Sequence, residues 1–197
     1  MKKEIIEWIV AIGGALLIVG IVLKFIGTSY TVSGSSMYPT FQDRNKVIVS
    51  KISKTLNHID NGDVVVFHED AQRDFIKRVI GTPGDKVEYK GDQLYVNDKK
   101  VSEPYLDYNK KHKQGKYLTG TFKTSQVNGA NGKNKIPKDK YLVLGDNRQN
   151  SVDSRLAEVG LVDKDQLVGK VVLRYWPFNK WEAGFNPVSY THLTLPT

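Results

Sequence analysis

Two short stretches of the chain carry side chains that could act together as a hydrolase. Ser36 lies in the run Gly-Ser-Ser-Met-Tyr-Pro-Thr at residues 34–40, where small residues and a proline favour a tight turn that exposes its hydroxyl. Lys77 lies among apolar neighbours in the run Phe-Ile-Lys-Arg-Val-Ile at residues 75–80. A serine hydroxyl becomes an effective nucleophile when a neighbouring base removes its proton. The two stretches therefore indicate serine–lysine chemistry, in which an acyl group is transferred to the serine.

Lys77 can remove that proton only while its amine is neutral, so its pKa must fall well below the ordinary value of about 10.4. Strand side chains alternate, which places Lys77 on one face with Phe75 and Val79, where burial would lower the pKa. Arg78 cannot take this role because a guanidinium stays protonated. The pattern leaves an alternative open for each residue: Ser36 could lie in an ordinary turn, and Lys77 could be exposed and paired with an acid.

Other kinds of catalytic and binding site find little support in the sequence. The chain has no cysteine, which excludes disulfides and thiol catalysis. Its histidines lack metal-ligand spacing and no glycine-rich phosphate loop is present, so we expect neither a metal nor a cofactor. No Gly-x-Ser-x-Gly sequence supports a histidine triad. The net charge is +8, but the basic residues form no recognisable nucleic-acid motif, so we expect no nucleic acid partner. The four histidines are His58, His68, His112 and His192.

The stretch that precedes Ser36 is an apolar run over residues 5–26, interrupted only near its ends by Glu7 and Lys24. About 20 apolar residues suffice for a helix to cross a bilayer. A cleaved signal peptide is the alternative, but the residues that follow the run make a poor small-x-small cleavage site. We therefore expect a permanent transmembrane anchor over residues 1–27, with the lipid bilayer as a partner.

The orientation of this anchor follows from the charges at its start. Lys2 and Lys3 precede the apolar run, and basic residues favour the cytoplasmic side of a membrane. The expected localisation is the cell membrane, with a single pass, a cytoplasmic N-terminus and an extracytoplasmic domain over residues 28–187. Ser36 would then lie close to the outer face of the membrane.

Short runs rich in β-branched residues predict that this domain is mainly β. A segment over about residues 103–136 is rich in Lys, Gly, Asn and Tyr with weak periodicity, and we interpret it as a small inserted cap. The last ten residues, 188–197, do not fit what precedes them, so we expect a non-native tail, with a native tail as the alternative. Strands are expected at residues 30–33, 46–49, 64–67, 75–80, 86–89, 93–97, 100–101, 141–144 and 168–176.

Three motifs, at residues 34–40, 75–85 and 145–155, resemble those of bacterial type I signal peptidases in order and setting. These are Ser–Lys peptidases of family S26, and the resemblance is greatest to the Gram-positive, staphylococcal type. It covers nearly all of residues 1–187. The resemblance implies a membrane helix followed by a β-rich catalytic core with a cap. It also implies a membrane-bound serine endopeptidase that removes N-terminal signal peptides from exported preproteins, with small residues at positions −1 and −3.

The resemblance further implies a role for individual residues. Ser36 would be the nucleophile, Lys77 the general base, and Ser151 the residue that orients the Lys77 amine by a hydrogen bond. Asp153 and Arg155 would form an ion pair that supports the region around Ser151. The residues expected to line the substrate groove and its pockets are Met37, Tyr30, Val32, Phe75 and Ile76.

The oxyanion hole is the point at which the chain departs from some relatives. The Ser36 backbone N–H is expected to be one donor. Some relatives carry a hydroxyl residue two places before the nucleophile, where this chain has Gly34. The second donor therefore stays open between the Gly34 N–H, Ser35 and water.

Two other functions compete with a signal peptidase. One is a catalytically inactive, membrane-tethered homologue that binds signal peptides without cutting them; the presence of both Ser36 and Lys77 argues against it. The other is a self-cleaving repressor that uses the same catalytic pair. A repressor would need a DNA-binding helix-turn-helix at its N-terminus, where this chain has the apolar run.

Overall fold

The computed structural model describes residues 2–55 and 58–187, so the expected non-native tail and His192 lie outside the described residues. The first half of the chain forms α1 (Lys2–Ile26), β1 (Gly27–Thr31), β2 (Lys46–Ser50), α2 (Ile52–Thr55), β3 (Val64–His68), β4 (Asp74–Gly81), β5 (Val87–Lys90), β6 (Gln93–Val96) and β7 (Lys99–Val101). The second half forms α3 (Asp107–Lys111), β8 (Phe122–Lys123), β9 (Lys140–Leu144), β10 (Val162–Asp163), β11 (Leu167–Trp176) and β12 (Glu182–Ala183). Short 3-10 turns lie at Pro104–Leu106, Thr124–Gln126, Lys164–Gln166 and Phe178–Lys180.

The larger sheet has eight antiparallel strands in the order β1-β2-β11-β3-β4-β9-β10, with β12 beside β11. This confirms the prediction that the fold is mainly β. Strand β3 reads Val-Val-Val-Phe-His, and its first four residues are buried. A continuous apolar run of this kind is typical of a strand covered on both faces. Strand β4, which carries Lys77, pairs with β3 on one side and β9 on the other.

The smaller sheet has the order β7-β6-β5-β8 and forms from consecutive hairpins. Asn97 and Asp98 connect β6 to β7 with φ angles of 52° and 65°. Two successive positive φ angles match the twist of a tight two-residue hairpin, and Asn and Asp tolerate them. An apolar core joins this sheet to β9 and to the segment over residues 103–136. It includes Tyr89, Leu94, Val127, Ala130, Ile136, Leu142 and Leu144.

A second core lies beneath the segment that carries Ser36. Phe41 and Phe185 pack with ring centroids 4.7 Å apart, and both are buried. Met37, Val47, Val64 and Val171 belong to the same cluster. The residues after Ser36 are thus held against the larger sheet by side chains from β2, β3 and β11.

The N-terminal segment forms helix α1, which passes directly into β1. Among residues 2–55 and 58–187, no helix combines the length and the apolar character needed to cross a membrane. The predicted transmembrane span over residues 5–26 is therefore not supported by the structure. Strand β1 also begins at Gly27, earlier than the predicted Tyr30, because the helix leads straight into it.

Three strands of two residues each, β8, β10 and β12, were not predicted. Two residues are too few to show the alternation by which a strand is recognised in a sequence. The same limit applies to the helices α2 and α3, which have only four and five residues.

Candidate active site

The Nζ of Lys77 lies 2.9 Å from the Oγ of Ser36, so the structure brings the two predicted catalytic residues together. Ser36 follows Gly34, whose φ angle of +83° turns the chain sharply after β1. The N–H of Tyr38 donates to the Ser35 carbonyl at 3.0 Å and closes a turn around Ser36. The arrangement is that of a serine hydroxyl presented to an amine.

The environment of Lys77 favours the neutral amine. The side chain is only 3% exposed, and burial lowers its pKa from 10.5 to about 8, although the charges of Asp153 and Asp146 limit the fall. Within the part of the chain that the structure describes, no carboxylate lies within ion-pair distance of the amine. Its other contacts are the Ile76 carbonyl at 3.1 Å and the Phe75 ring, whose centroid is 4.9 Å away. Lys77 can therefore lose its proton close to neutral pH.

The dyad opens into a cleft of about 440 Å³. The predicted pocket residues Tyr30, Val32, Phe75 and Ile76 all line it, together with Ser36, Lys77 and Ser151. Met37 does not: it is 1% exposed and belongs to the core beneath the turn. Because Met37 is not among the residues that line the cleft, the expected groove contact is not made. Residues 149–152 form the opposite wall.

Ser151 lies in this cleft, but its expected hydrogen bond to Lys77 is not formed. Its hydroxyl oxygen is buried and has no hydrogen-bond partner among the described residues. It packs closely against Gly145, where an added Cβ would collide with it. Ser151 thus lines the cleft together with Lys77, and its hydroxyl lies close enough to Asp153 to help lower the pKa of that carboxyl.

Asp153 and Arg155 form a two-pronged ion pair behind this wall. The Arg155 Nε and Nη2 donate to the two Asp153 oxygens, each at 2.8 Å. Burial alone would raise the pKa of Asp153, but hydrogen bonds from Arg155 and from the Gly145 N–H bring it below its ordinary value. Asp153 is therefore held as a carboxylate. Its bond to Gly145 ties the loop to the end of β9.

The next residue after the lysine takes part in a buried ion pair that sequence analysis missed. The Arg78 Nε and Nη2 donate to the two oxygens of Asp146, at 2.8 and 2.7 Å. Its Nη1 donates to the carbonyls of Gly62 and Phe185. Thr40, four residues after the nucleophile, donates to the same Asp146 at 2.5 Å. Strand alternation places Arg78 on the face opposite to Lys77. A guanidinium buried on that face needs a carboxylate partner, and this requirement could have predicted the ion pair from the sequence.

A second buried cluster surrounds Arg148. Its guanidinium donates to Glu103 at 2.7 Å and to the hydroxyl of Tyr89 at 2.9 Å. Burial and the charge of Glu103 raise the pKa of Tyr105, which also donates to Glu103. These hydrogen bonds connect the segment that begins at residue 103 to the loop after β9. The local sequence of neither segment predicts this connection.

Asn109 of α3 makes a further connection that sequence analysis did not identify. Its side-chain amide donates to the carbonyl of Tyr38 and to that of Asp146, each at 2.8 Å. A buried amide that satisfies two carbonyls holds both loops at a fixed separation. The segment over residues 103–136 therefore contacts the turn that carries Ser36.

The backbone around Ser36 offers one free donor. Over the described ranges, the Ser36 N–H has no acceptor. The Gly34 N–H donates to Asp43 at 2.8 Å, which removes it from the candidates for a second oxyanion donor. The Ser35 hydroxyl accepts from Asn150 at 3.0 Å and keeps its own proton available.

Residues 2–55 and 58–187 contain no cluster of acidic and histidine side chains that could hold a metal ion.

Comparisons with known proteins identify relatives of this chain. The family profile described as signal peptidase, peptidase S26, matches residues 5–176. Signal peptidase IB of Staphylococcus aureus (strain COL) is 56% identical over 188 residues, 95% of this chain and 97% of that protein. Signal peptidase I S of Bacillus subtilis (strain 168) is 44% identical over 182 residues, 91% of this chain and 93% of that protein.

A solved structure is also similar. The crystal structure of a signal peptidase I from Enterococcus faecalis V583 has a TM-score of 0.50 and 33% sequence identity, and the match covers 56% of this chain and 94% of that chain. The likeness supports the antiparallel β architecture described above.

Proposed function

This chain belongs to the signal peptidase family, peptidase S26, and we propose that Ser36 and Lys77 carry out its hydrolytic chemistry. The family predicted from the three motifs is thereby confirmed, as is its Gram-positive type. The protein is a peptidase that removes signal peptides from exported preproteins. The finer proposal concerns the residues that perform the cleavage and the way in which they do so.

The observation that carries this proposal is the 2.9 Å separation of the Lys77 Nζ and the Ser36 Oγ. A general base must lie within hydrogen-bond reach of the proton that it removes. Because burial lowers the pKa of Lys77 to about 8, part of the amine is neutral at ordinary pH. Distance and protonation state together satisfy what a serine–lysine mechanism requires.

Acylation begins when neutral Lys77 takes the proton of the Ser36 hydroxyl. The Ser36 Oγ attacks the scissile carbonyl carbon, and the carbonyl oxygen becomes an oxyanion that accepts from the Ser36 N–H. Collapse of this intermediate breaks the C–N bond. Protonated Lys77 gives its proton to the leaving amine, which departs as the new N-terminus of the mature protein, and the signal peptide stays esterified to Ser36.

Deacylation repeats the steps with water. Neutral Lys77 takes a proton from water, and the resulting hydroxide attacks the ester carbonyl. The C–O bond to Ser36 breaks, and the proton returns to the Ser36 oxygen. The signal peptide leaves as a carboxylic acid, which releases its proton to the solvent. We assign the Asp153–Arg155 pair to support of the loop that carries Ser151.

The walls of the cleft support a preference for small residues at positions −1 and −3 of the substrate. Tyr30, Val32, Phe75 and Ile76 contribute apolar side-chain surface to it. We expect these walls to form shallow pockets that accept a methyl group and exclude larger side chains. A systematic set of preprotein variants at −1 and −3 tests this preference.

We also propose that helix α1 attaches the enzyme to the membrane. Large apolar side chains along it are exposed; Trp8, for example, is 70% exposed. Transfer of such surface into lipid is favourable by about 25 cal/mol per Å². Lys2 and Lys3 add positive charge at the start of this helix, which favours contact with an anionic membrane surface. The exposed side chains are Ile5, Ile6, Trp8, Ile9, Val10, Ile12 and Leu17.

Membrane fractionation of the full chain tests this attachment. The protein should sediment with membranes and should need detergent for release. Replacing Ile9 and Leu17 together by Lys should move it to the soluble fraction. Recovery of the unaltered chain without detergent would count against the attachment.

Cleavage of a purified preprotein tests the catalytic assignment. Ser36→Ala should lose at least about 10⁴-fold in rate, and Lys77→Arg should lose a similar factor because arginine keeps the charge but cannot act as a base. Ser102→Ala and Lys99→Arg are matched controls on exposed positions outside the cleft and should keep normal rates. Normal turnover by Ser36→Ala would overturn the assignment. Binding without cleavage by the unaltered enzyme would favour the inactive homologue.

A further inference from the structure

We propose that Asn147 is a positioning residue that aims the Ser36 N–H at the oxyanion of the reaction. Asn147 lies in the loop after β9 and makes two hydrogen bonds to the turn that carries Ser36. Its side-chain Nδ2 donates to the Ser35 carbonyl at 3.1 Å, and its backbone N–H donates to the Ser36 carbonyl at 2.9 Å. The inference rests on the proposed role of Ser36 as nucleophile.

The first of these bonds acts on the donor through peptide geometry. The Ser35–Ser36 peptide is trans and planar, so its C=O and its N–H point in opposite directions. A donor that holds the Ser35 carbonyl on one side therefore fixes the Ser36 N–H on the other. The Tyr38 N–H donates to the same carbonyl at 3.0 Å, so two donors from different segments hold this plane.

The second bond fixes the next peptide plane. The Ser36 carbonyl belongs to the Ser36–Met37 peptide, and the Asn147 N–H holds it. With the planes on both sides held, the φ and ψ angles of Ser36 are determined. One residue thus sets the backbone conformation of the nucleophile from outside its own turn.

The donor that these bonds orient is unused in the described structure. Over residues 2–55 and 58–187, the Ser36 N–H donates to no acceptor. The cleft is lined by Ser36 and by the residues of the loop that follows Asn147. A free N–H held in place before the substrate arrives loses no energy to reorganisation when the oxyanion forms.

The orientation of the Ser36 N–H matters more because Gly34 cannot supply a second donor to the oxyanion. The Gly34 N–H is occupied by Asp43, and the residue has no hydroxyl to offer. More of the stabilisation of the oxyanion therefore depends on the Ser36 N–H. We expect the enzyme to be correspondingly sensitive to any change that lets this peptide rotate.

The test compares Asn147→Ala and Asn147→Leu with the unaltered enzyme. Both variants lose the bond to the Ser35 carbonyl and keep the backbone N–H, and Leu retains the branched shape and the number of heavy atoms of the Asn side chain. We expect kcat to fall by about 10- to 100-fold in both, with KM changed less than about 2-fold. Asn128→Ala is the matched control, since it removes an amide-to-carbonyl bond of 2.8 Å to Ala157 on an exposed surface.

A peptide aldehyde separates positioning from a general structural effect. The Ser36 oxygen adds to the aldehyde carbon and the former carbonyl oxygen occupies the oxyanion site, whereas the corresponding peptide alcohol binds without forming this bond. Affinity for the aldehyde should fall in parallel with kcat, and affinity for the alcohol should not change. The apparent pKa of the pH–rate profile should also stay where it is, because Lys77 is not contacted by Asn147.

The outcomes are distinguishable. Equal losses of aldehyde and alcohol affinity, a difference between the Ala and Leu variants, or unchanged kcat would each overturn the positioning role. If the unaltered enzyme cleaves preprotein and Ser36→Ala does not, these results bear on Asn147 alone. If Ser36→Ala remains active, the proposed nucleophile itself is wrong.

Discussion

Lys77 and Arg78 are neighbours in β4 and both are buried, but only Arg78 is paired with a carboxylate. The guanidinium of Arg78 makes two hydrogen bonds to Asp146, whereas the amine of Lys77 meets the hydroxyl of Ser36. Alternation along the strand sends the two side chains to opposite faces. One face of the strand thus stabilises the charged guanidinium of Arg78, and the other face favours the neutral amine of Lys77. This difference underlies the first three predictions.

The rate of cleavage should rise with pH through the pKa of Lys77. The free enzyme needs the neutral amine, and burial lowers the pKa of that amine to about 8. We therefore expect kcat/KM to increase about tenfold per pH unit below pH 7 and to level off above about pH 9. A preprotein cleavage assay between pH 5 and pH 10 measures this profile. A flat profile over that range would contradict a lysine base.

Replacement of Lys77 by Met should stabilise the fold while it abolishes activity. A fall in pKa from 10.5 to about 8 means that the charged amine costs the folded state about 3 kcal/mol below pH 8. The unfolded chain binds the proton more tightly, so stability of the unaltered enzyme rises with pH between 8 and 10.5. The advantage of Lys77→Met should be largest near neutral pH and should vanish by about pH 10.5.

Denaturant unfolding at pH 7 and at pH 10.5 measures this effect. Lys123→Met, at an exposed position, is the control and should show no such pH dependence. Destabilisation by Lys77→Met at pH 7 would show that the charged amine does not lower the stability of the folded state.

Loss of Asp146 should be strongly destabilising. Asp146→Asn leaves the buried charge of Arg78 without a counter-charge, and a broken buried pair typically costs about 3–5 kcal/mol. The double variant Arg78→Met with Asp146→Leu should recover much of this loss. Glu69→Gln is the control, because its partner Arg73 is largely exposed and such pairs contribute at most about 1 kcal/mol. Equal effects of Asp146→Asn and Glu69→Gln in denaturant unfolding would refute this account.

Gly145 should not tolerate a side chain. A Cβ at this position would lie 2.5 Å from the Ser36 carbonyl oxygen and would also collide with Ser151. The nucleophile and the loop would have to move apart, and a displacement of about 1 Å can cost about 100-fold in rate. We expect a loss of this size in kcat for Gly145→Ala. Gly14→Ala has no neighbour to collide with and serves as the control; activity of Gly145→Ala at the control level would contradict the close contact.

Much of the fold could be predicted from local pattern. β3 is an uninterrupted β-branched run, and β4 places Lys77 among apolar neighbours, so both strands are visible in the sequence. The motif around Ser36 and the family that it indicates were also evident. These features depend on residues close together in the chain, for which periodicity and residue type are sufficient.

The site itself depended on contacts between distant segments. Ser36 and Lys77 are 41 residues apart, and Asn147 reaches the turn of Ser36 from more than 100 positions away. Met37 was predicted to line the groove but lies in the core. The orientation of the turn decides this position, and the local sequence does not specify that orientation. Local sequence specifies which face of a strand a side chain takes. Which segment then meets that face is decided by packing and by the pairing of buried polar groups, and these depend on the whole fold at once.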